Sequence, residues 1–557
     1  MSDRNAQSHF NAIEIPNVKR SMFPLLFHNI GTCNTGVIVP FLAYSDILPG
    51  DTMKATTTAI IRMQTPLNPT MDGLVYDTYY FAVPHRLVWD HWKEFMGECA
   101  NAAWETSTEY TVPMINAPAS TGITKGTIAD YMGLPKGVTG ISYQALPFRA
   151  YTLIYNTWFR NQNLIAPVQL HTDDTTRNGD NSVTELGGAP FKAGKLADYF
   201  TTCLPAPQRA LPGMTQGMSI PLGTIAPVIT GTELNQSEFL ARKNASEPIR
   251  FRYTDNGLHS TGSVGLGMSN TGALFSTGGT SLDTHPTAPS NLIADLTNAT
   301  AATINALRLA FQVQKLQELW ARGGVRYFEI LKNEFGAHPN MSVLQYPEYL
   351  GGTRDAIALN EVVQTSTSGS TSTDQLGWTG GTSHTVGQNQ DFTKTFLEHT
   401  ILIGLLVIRQ QGHLYQQSLP KMWSREKKLD YYTPTLAHLG EQPVYKKEIM
   451  ATGISATDNA VFGYQERWAE YKYGRETTSG EMSSSYATSL DVWHYGDWYA
   501  SVPTLAQNWF EETDEYVDRT LAVSSAVADQ FKFDIVTNIV ATRPMPVYCT
   551  PGLIDHF

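Results

Sequence analysis

Five strand-like segments stand far apart in this chain, and their separation limits the folds open to it. GVIVPFLAY (36–44), MKATTTAIIRM (53–63) and LVYDTYYFAV (74–83) lie near the start; HTILIGLLVIRQQ (399–411) and FKFDIVTNIVATR (531–543) lie in the last third. Each is rich in β-branched and aromatic residues and bounded by turn residues, as strands are. No fixed-period repeat links them, which excludes a solenoid or propeller. Strands at both ends with long insertions between favour an antiparallel sandwich over a βαβ fold. The expected fold class is mainly β.

The insertions carry helical and polar stretches. Pro84 is expected to open a helix over HRLVWDHWKEFM, with Val88, Trp92 and Phe95 on one face and Gly97 as the stop. A second helix is expected near 147–162, with Leu153, Ile154, Trp158 and Phe159 apolar. From about 165 to 300 the chain turns Thr-, Gly-, Ser- and Pro-rich, as in GSVGLGMSNTGALFSTGGTS (262–281). A long helix is expected over roughly 301–320. A second polar tract, QTSTSGSTSTDQLGWTGGTSHTVGQNQ (364–390), reads as a loop. Loops this long in a compact fold are functional or disordered. A polar arm (1–20) precedes the first strand.

Charged residues are only 16% of the chain, against roughly 25% in an ordinary soluble protein. Hydrophobic residues are 42%, enough for a large core. That balance suits a protein that hides much of its surface against neighbours. The net charge of −12 gives no bulk attraction for nucleic acid. Cys33, Cys99, Cys203 and Cys549 form no CxxC pair, and no His stands at finger spacing, which argues against zinc. A disulfide framework is not expected in so large a chain, so a reducing compartment is the default. MSDRNAQSHF has no apolar signal region, and the run ILIGLLVI (401–408) is too short to span a bilayer. The expectation is a soluble protein made in a cytoplasm.

Several motifs invite a binding role. In LWARGGVRYFEIL (319–331) two glycines lie between Arg322 and Arg326. A phosphate loop needs its glycines before a helix, where free N–H groups and the positive dipole end face the ligand. Here Ile304, Leu307, Phe311, Leu316, Leu319 and Trp320 precede them, so Gly323 and Gly324 fall at the helix C-terminus. They read as a C-cap turn. DTTRNGDNSVTE (174–185) offers Asp174, Asn178 and Glu185 at calcium-loop positions, but LGGAPF after it cannot start the exiting helix. The competing reading is a solvated acidic loop. His85 and His91 are wrongly spaced for a helical metal pair, and His91 between two Trp reads as partly buried and satisfied. Glu511, Glu512, Asp514 and Glu515 read as a solvated run at a helix end, although paired acids also serve glycosidases. Three basic stretches interleave with aromatics: NVKRSMF (17–23), IRFRY (249–253) and KMWSREKKLDYY (421–432). Such patches suit single-stranded nucleic acid, where bases stack and phosphates pair, or are ordinary surface.

ARGGVRYFEILKNEFGAHPN with QYPEYLGG (321–352) resembles the major capsid proteins of microviruses of the gokushovirus type, small single-stranded-DNA bacteriophages. YDTYYFAVPHRLVWDHWKEFMGE, LPFRAYTLIYNTWFRNQNL, YQERWAEYKY and RPMPVYCTPGLIDHF are similar to the same family. The resemblance implies an eight-stranded antiparallel jelly roll with long, partly helical insertions. It divides the chain into an N-terminal arm (1–30) and one jelly-roll domain (31–557). It implies a T=1 icosahedral shell around circular single-stranded DNA, found in the virion and assembled in the bacterial cytoplasm. A long insertion, placed at about 221–300, would form threefold protrusions that meet a host receptor. Implied partners are further copies of the chain, an internal scaffolding protein, a small basic DNA-binding protein, a DNA pilot protein and the genome. No catalytic residue and no cofactor is implied.

Electrostatics constrain this picture, because a shell multiplies the −12 charge and its cargo is anionic as well. Local basic patches or a separate cationic protein must neutralise the DNA. Lys19, Arg20, Lys421, Arg425 and Lys428 are the expected DNA-facing residues. Two other readings stand beside the capsid: a jelly-roll glycan-binding protein stacking sugars on Trp and Tyr, and a carbohydrate-active enzyme with two acids from the C-terminal third.

Overall fold

A computed structural model of the chain describes residues 19–98, 108–209, 228–230, 266–268, 274–276, 292–294, 304–338, 340–341, 343–366 and 376–548. Eight long strands build its centre: β1 (Ser21–Cys33), β2 (Val39–Ile47), β3 (Thr52–Met63), β4 (Leu74–Pro84), β5 (Glu348–Ala356), β6 (Thr385–Thr395), β7 (Thr400–Gln410) and β8 (Phe531–Arg543). They form two four-stranded antiparallel sheets. The first has the order β1-β8-β3-β6 and the second the order β5-β4-β7-β2. Along the chain every connection but one passes from one sheet to the other. The exception joins β4 to β5, neighbours in the second sheet, through residues 85–347. This wrapping of eight strands into two sheets is the jelly roll. All five strand segments expected from the sequence are present. The first ten residues of β1 begin inside the span assigned to an arm, because Ser21–Ile30 pair along β8.

Alternation explains the sandwich. On β8 the odd-numbered residues Phe531, Phe533, Ile535, Ile539 and Ala541 are buried, and they meet Met53, Ala55, Ala59 and Ile61 of β3 in one core. From the second sheet Leu74, Tyr76, Tyr80, Leu402, Leu406 and Ile408 enter the same core. At Gly404 a Cβ would lie 2.7 Å from the Phe41 ring, so only glycine lets that ring close the β2 side.

The second sheet is buried on both faces. Its outer side chains, Phe81, Val83, Ile401, Ile403, Leu405 and Val407, join a second core with Val88, Trp89, Phe148, Tyr151 and Ile154. The expected helix near 147–162 supplies part of this cover as α1 (Leu146–Ile154), continued by a wider π turn (Tyr155–Phe159). The helix expected from Pro84 is not continuous. β4 runs through Pro84, followed by a 3₁₀ turn (His85–Leu87) and one helical turn (Trp92–Phe95). Burial of His85, Val88 and Trp89 breaks the helical path, with Trp92 stacked on His85 at 4.3 Å.

The polar tract 364–390 also departs from expectation. Leu359–Val363 and Thr379–Ser383 form a hairpin, and β6 starts at Thr385. From 383 to 390 burial alternates, with Ser383, Thr385, Gly387 and Asn389 turned inward. The Thr385 hydroxyl accepts the Ala358 N–H at 2.8 Å. Small polar residues fill these inward places, which hid the strand from a hydrophobic pattern. Residues 367–375 lie outside the described ones.

The chain divides into two compact units, Met1–Arg209 with Glu318–Phe557, and Ala210–Gln317. The strand pieces of the second unit pair antiparallel: Val228–Thr230 with Leu292–Ala294, and Leu266–Met268 with Leu274–Ser276. Most of 221–300 lies outside the described residues, as does IRFRY (249–253).

Candidate functional site

The glycine pair closes a helix. α2 (Ile304–Gly323) ends on Gly323, and Gly324 takes the left-handed conformation at φ +89°. Gly323 is thus the last helical residue and Gly324 the reversing one. α3 (Tyr327–Phe335) follows at once. Both flanking arginines have carboxylate partners: Arg322 pairs with Glu441, and Arg326 meets Glu329 at 3.0 Å. The Asn333 amide donates to the Gly323 carbonyl. This is a turn that locks two helices together.

The acidic loop does not converge on one point. Asp174 accepts the Trp89 indole N–H at 2.5 Å and pairs with His91 at 2.8 Å. Asn178 accepts from Asn116 at 3.1 Å. Glu185 is buried and accepts the His171 backbone N–H at 2.6 Å, with the His171 ring 2.7 Å away. Among the described residues no group of three or more His, Cys, Asp or Glu is disposed to hold a metal. The three candidates fasten the cover of the second sheet instead. The solvated reading fails for Glu185, whose backbone bonds replace water. His91 is half-exposed and stacks on Tyr110 at 4.2 Å.

The five basic candidates separate into two groups. Lys19, Arg20 and Lys428 are exposed, Arg20 reaching the Gly50 carbonyl. Lys421 and Arg425 turn inward. The Lys421 amine donates to the Pro443 carbonyl at 3.1 Å and lies 4.0 Å from Glu448. Burial pulls its pKa down, while Glu448 and Glu470 oppose that pull. Arg425 pairs with Glu470 at 3.5 Å and lies over Tyr471 and Tyr431 at 4.3 and 5.5 Å. These two line a cavity of about 310 Å³ with Tyr199, Phe200, Tyr415 and Glu448. Cations already matched by internal carboxylates offer little to a phosphate. Of the five residues expected to face DNA, Lys421 and Arg425 are thus engaged internally, and Lys19, Arg20 and Lys428 are the exposed ones.

A buried charge cluster went unseen in the sequence. His413 lies between Asp497 at 3.6 Å and Glu512 at 3.2 Å, and Asp497 also holds Lys195 at 2.7 Å. The Tyr499 hydroxyl donates to Asp497 at 2.7 Å, and the Lys195 amine lies over the Trp509 ring at 5.2 Å. All four charged side chains are buried. Burial would lower the His413 pKa, but the two carboxylates outweigh it and push it up to about 9. Burial raises Asp497 while Lys195 and His413 lower it, and the net direction is far downward. Glu512, expected in a solvated run, is instead fully buried and faces His413 at 3.2 Å. The four residues come from distant parts of the chain, so no local pattern announces them. Enclosed and mutually neutralised, they hold the 195, 413, 497 and 512 segments to the end of β7. They do not form an acid pair open to a sugar.

Cys33 and Cys203 are buried free thiols. No helix among the described residues is long and apolar enough to cross a membrane.

Among the described residues the outer face of the first sheet is left partly open. Its β1 exposes Met22, Leu26 and Ile30, each at least 66% accessible. An eight-stranded jelly roll with one sheet buried under insertions and the other open belongs among the β-sandwich proteins that include viral coat subunits. Within that class the chain belongs to the family described as capsid protein (F protein), whose profile matches residues 12–553. It is 39% identical to capsid protein VP1 of Spiroplasma virus 4, over 99% of both chains. It is 36% identical to capsid protein VP1 of Bdellovibrio phage phiMH2K over the full length of both. With capsid protein VP1 of Chlamydia phage 1 the identity is 33% over 98% of each. The chain is a structural capsid protein of the microvirus type, part of the phage virion, and not an enzyme.

Proposed function

We propose that the chain assembles into a T=1 icosahedral shell enclosing a circular single-stranded DNA genome, with residues 221–300 forming host-attachment protrusions. The observation that carries this reading is similarity to three capsid proteins VP1 over 98% or more of each chain. The attachment role draws support from the separate compactness of Ala210–Gln317, inserted within the β4–β5 connection. An insertion that folds on its own can change without disturbing the jelly roll. DNA contact rests on Lys19, Arg20 and Lys428, assisted by a small basic protein, because the −12 chain cannot neutralise the genome. An internal scaffolding protein and a DNA pilot protein complete the set of partners.

Replacing 221–300 with a short Gly-Ser linker tests the attachment role. The expected result is normal particles, counted by electron microscopy, that no longer infect. Loss of particles would show the tract to be part of the shell instead.

A further inference from the structure

The outer face of the first sheet combines cations with exposed apolar side chains. Across β1, β8, β3 and β6 its side chains stand in rows set by the strand register: Ile30, Asp534, Ile60 and Val386; then Leu26, Asn538, Thr56 and Gln390; then Pro24, Val540, Lys54 and Thr393. Beyond the first row, Thr32, Lys532 and Arg62 stand side by side. Lys54, Arg62 and Lys532 are exposed, and among the described residues none has a carboxylate partner. The single outward acid of β8, Asp534, is already paired with His28 at 2.7 Å. A protein of net charge −12 thus presents one regular face with three unmatched cations and a column of Met22, Leu26 and Ile30.

Two features of this face are unfavourable as it stands. Lys532 lies directly opposite Arg62, and like charges in that position destabilise a sheet. β1 is an edge strand with exposed apolar side chains, the feature that proteins normally blunt unless something covers it. Both would be relieved by one kind of occupant. Single-stranded DNA would match the cations, but no outward Phe, Trp or Tyr on these strands offers its bases a stacking surface. A second copy meeting this face through the same face would set cations against cations.

We propose that the outer face of β1, β8 and β3 docks an acidic, amphipathic segment of another protein. Its apolar side chains would lie on Met22, Leu26 and Ile30, and its carboxylates would meet Lys54, Arg62 and Lys532. The chemistry does not depend on the shell geometry proposed above. A cavity of about 240 Å³ adjoins the Ile30 end of the column, lined by Gly31, Lys125, Asp130, Tyr131 and Lys136. It offers the docked segment a recess in which to end.

The test uses the full chain against an array of overlapping peptides tiling every protein of the same virus, with oligo-dT as a separate probe. Three variants are compared with wild type: Leu26→Gln with Ile30→Gln, Arg62→Glu with Lys532→Glu, and Leu429→Gln as an exposed control in the 421–432 segment, outside the two sheets. Thermal melting checks that each is folded. The expected result is that bound peptides are acidic and carry apolar residues on one side. Their affinity should fall about tenfold or more in both face variants, should weaken with salt, and should not change in the control. The proposal is overturned if no peptide binds, if the bound peptides are basic, or if the face variants bind as wild type does. It is also overturned if oligo-dT binds and is lost in the same variants, or if the face instead holds two copies together, read as a mass change in Leu26→Gln with Ile30→Gln.

Discussion

The two sheets of this sandwich share a topology and a core, yet they obey different rules on their outer faces. β7 is buried at all of its residues and β4 at all but one, because insertion residues cover the second sheet. β8 alternates strictly, buried at odd positions and half-buried or exposed at even ones. The sequences record this: ILIGLLVI is apolar throughout, whereas KFDI at the start of β8 alternates. A strand reads as continuous when both its faces are dry, and as period two when one faces solvent or a partner. The long insertions have thus made one sheet into interior and left the outer face of the other more open.

The sharpest test of that contrast is truncation on each side. Phe81 is buried on the covered sheet and packs against Trp158, Phe159 and Tyr349. Phe81→Ala should cost about 3–5 kcal/mol, measured by denaturant unfolding of the soluble subunit. An effect near zero would mean that the insertion does not seal that sheet.

A smaller, pH-dependent effect is expected from the charge cluster that binds the C-terminal insertion down. The folded pKa of His413, about 9, lies above its ordinary value of 6.5. Its contribution to stability is therefore complete below about pH 6.5 and is lost as pH rises through about 9. His413→Gln should destabilise most at pH 6, and its difference from wild type should shrink by on the order of 3 kcal/mol by pH 10. A difference independent of pH would mean that His413 is neutral in the folded chain.

Gly324→Ala comes next. It places a side chain at φ +89° and brings a Cβ against Glu329, so a loss of about 1–2 kcal/mol is expected in the same unfolding measurement. Leu26→Gln on the bare sheet should fall within about 0.5 kcal/mol of wild type. A large loss there would erase the contrast between the sheets, because it would show that Leu26 is already packed in the single subunit.

How much of this could be read from residues alone follows the same division. Strands with clear apolar content were legible, and so was the helix end at Gly323 and Gly324, because local chemistry decides both. β6 was not, since its inward places hold Thr385, Gly387 and Asn389, and the hydrogen bonds of Thr385 and Asn389 do what apolar contacts do elsewhere. The 85–96 segment looked helical by period, but burial of Trp89 with its indole bonded to Asp174 overrides that preference. Lys421 and Arg425 looked like open surface because Glu448 and Glu470, which engage them, lie far along the chain. Long-range charge pairing leaves no local pattern.

The central claim is that this subunit exists to build a closed shell. The direct measurement is the mass and image of what it forms when expressed alone and with the proposed scaffolding protein, by light scattering and electron microscopy. The account predicts closed particles of one size. A monomer or small oligomer under both conditions would contradict it.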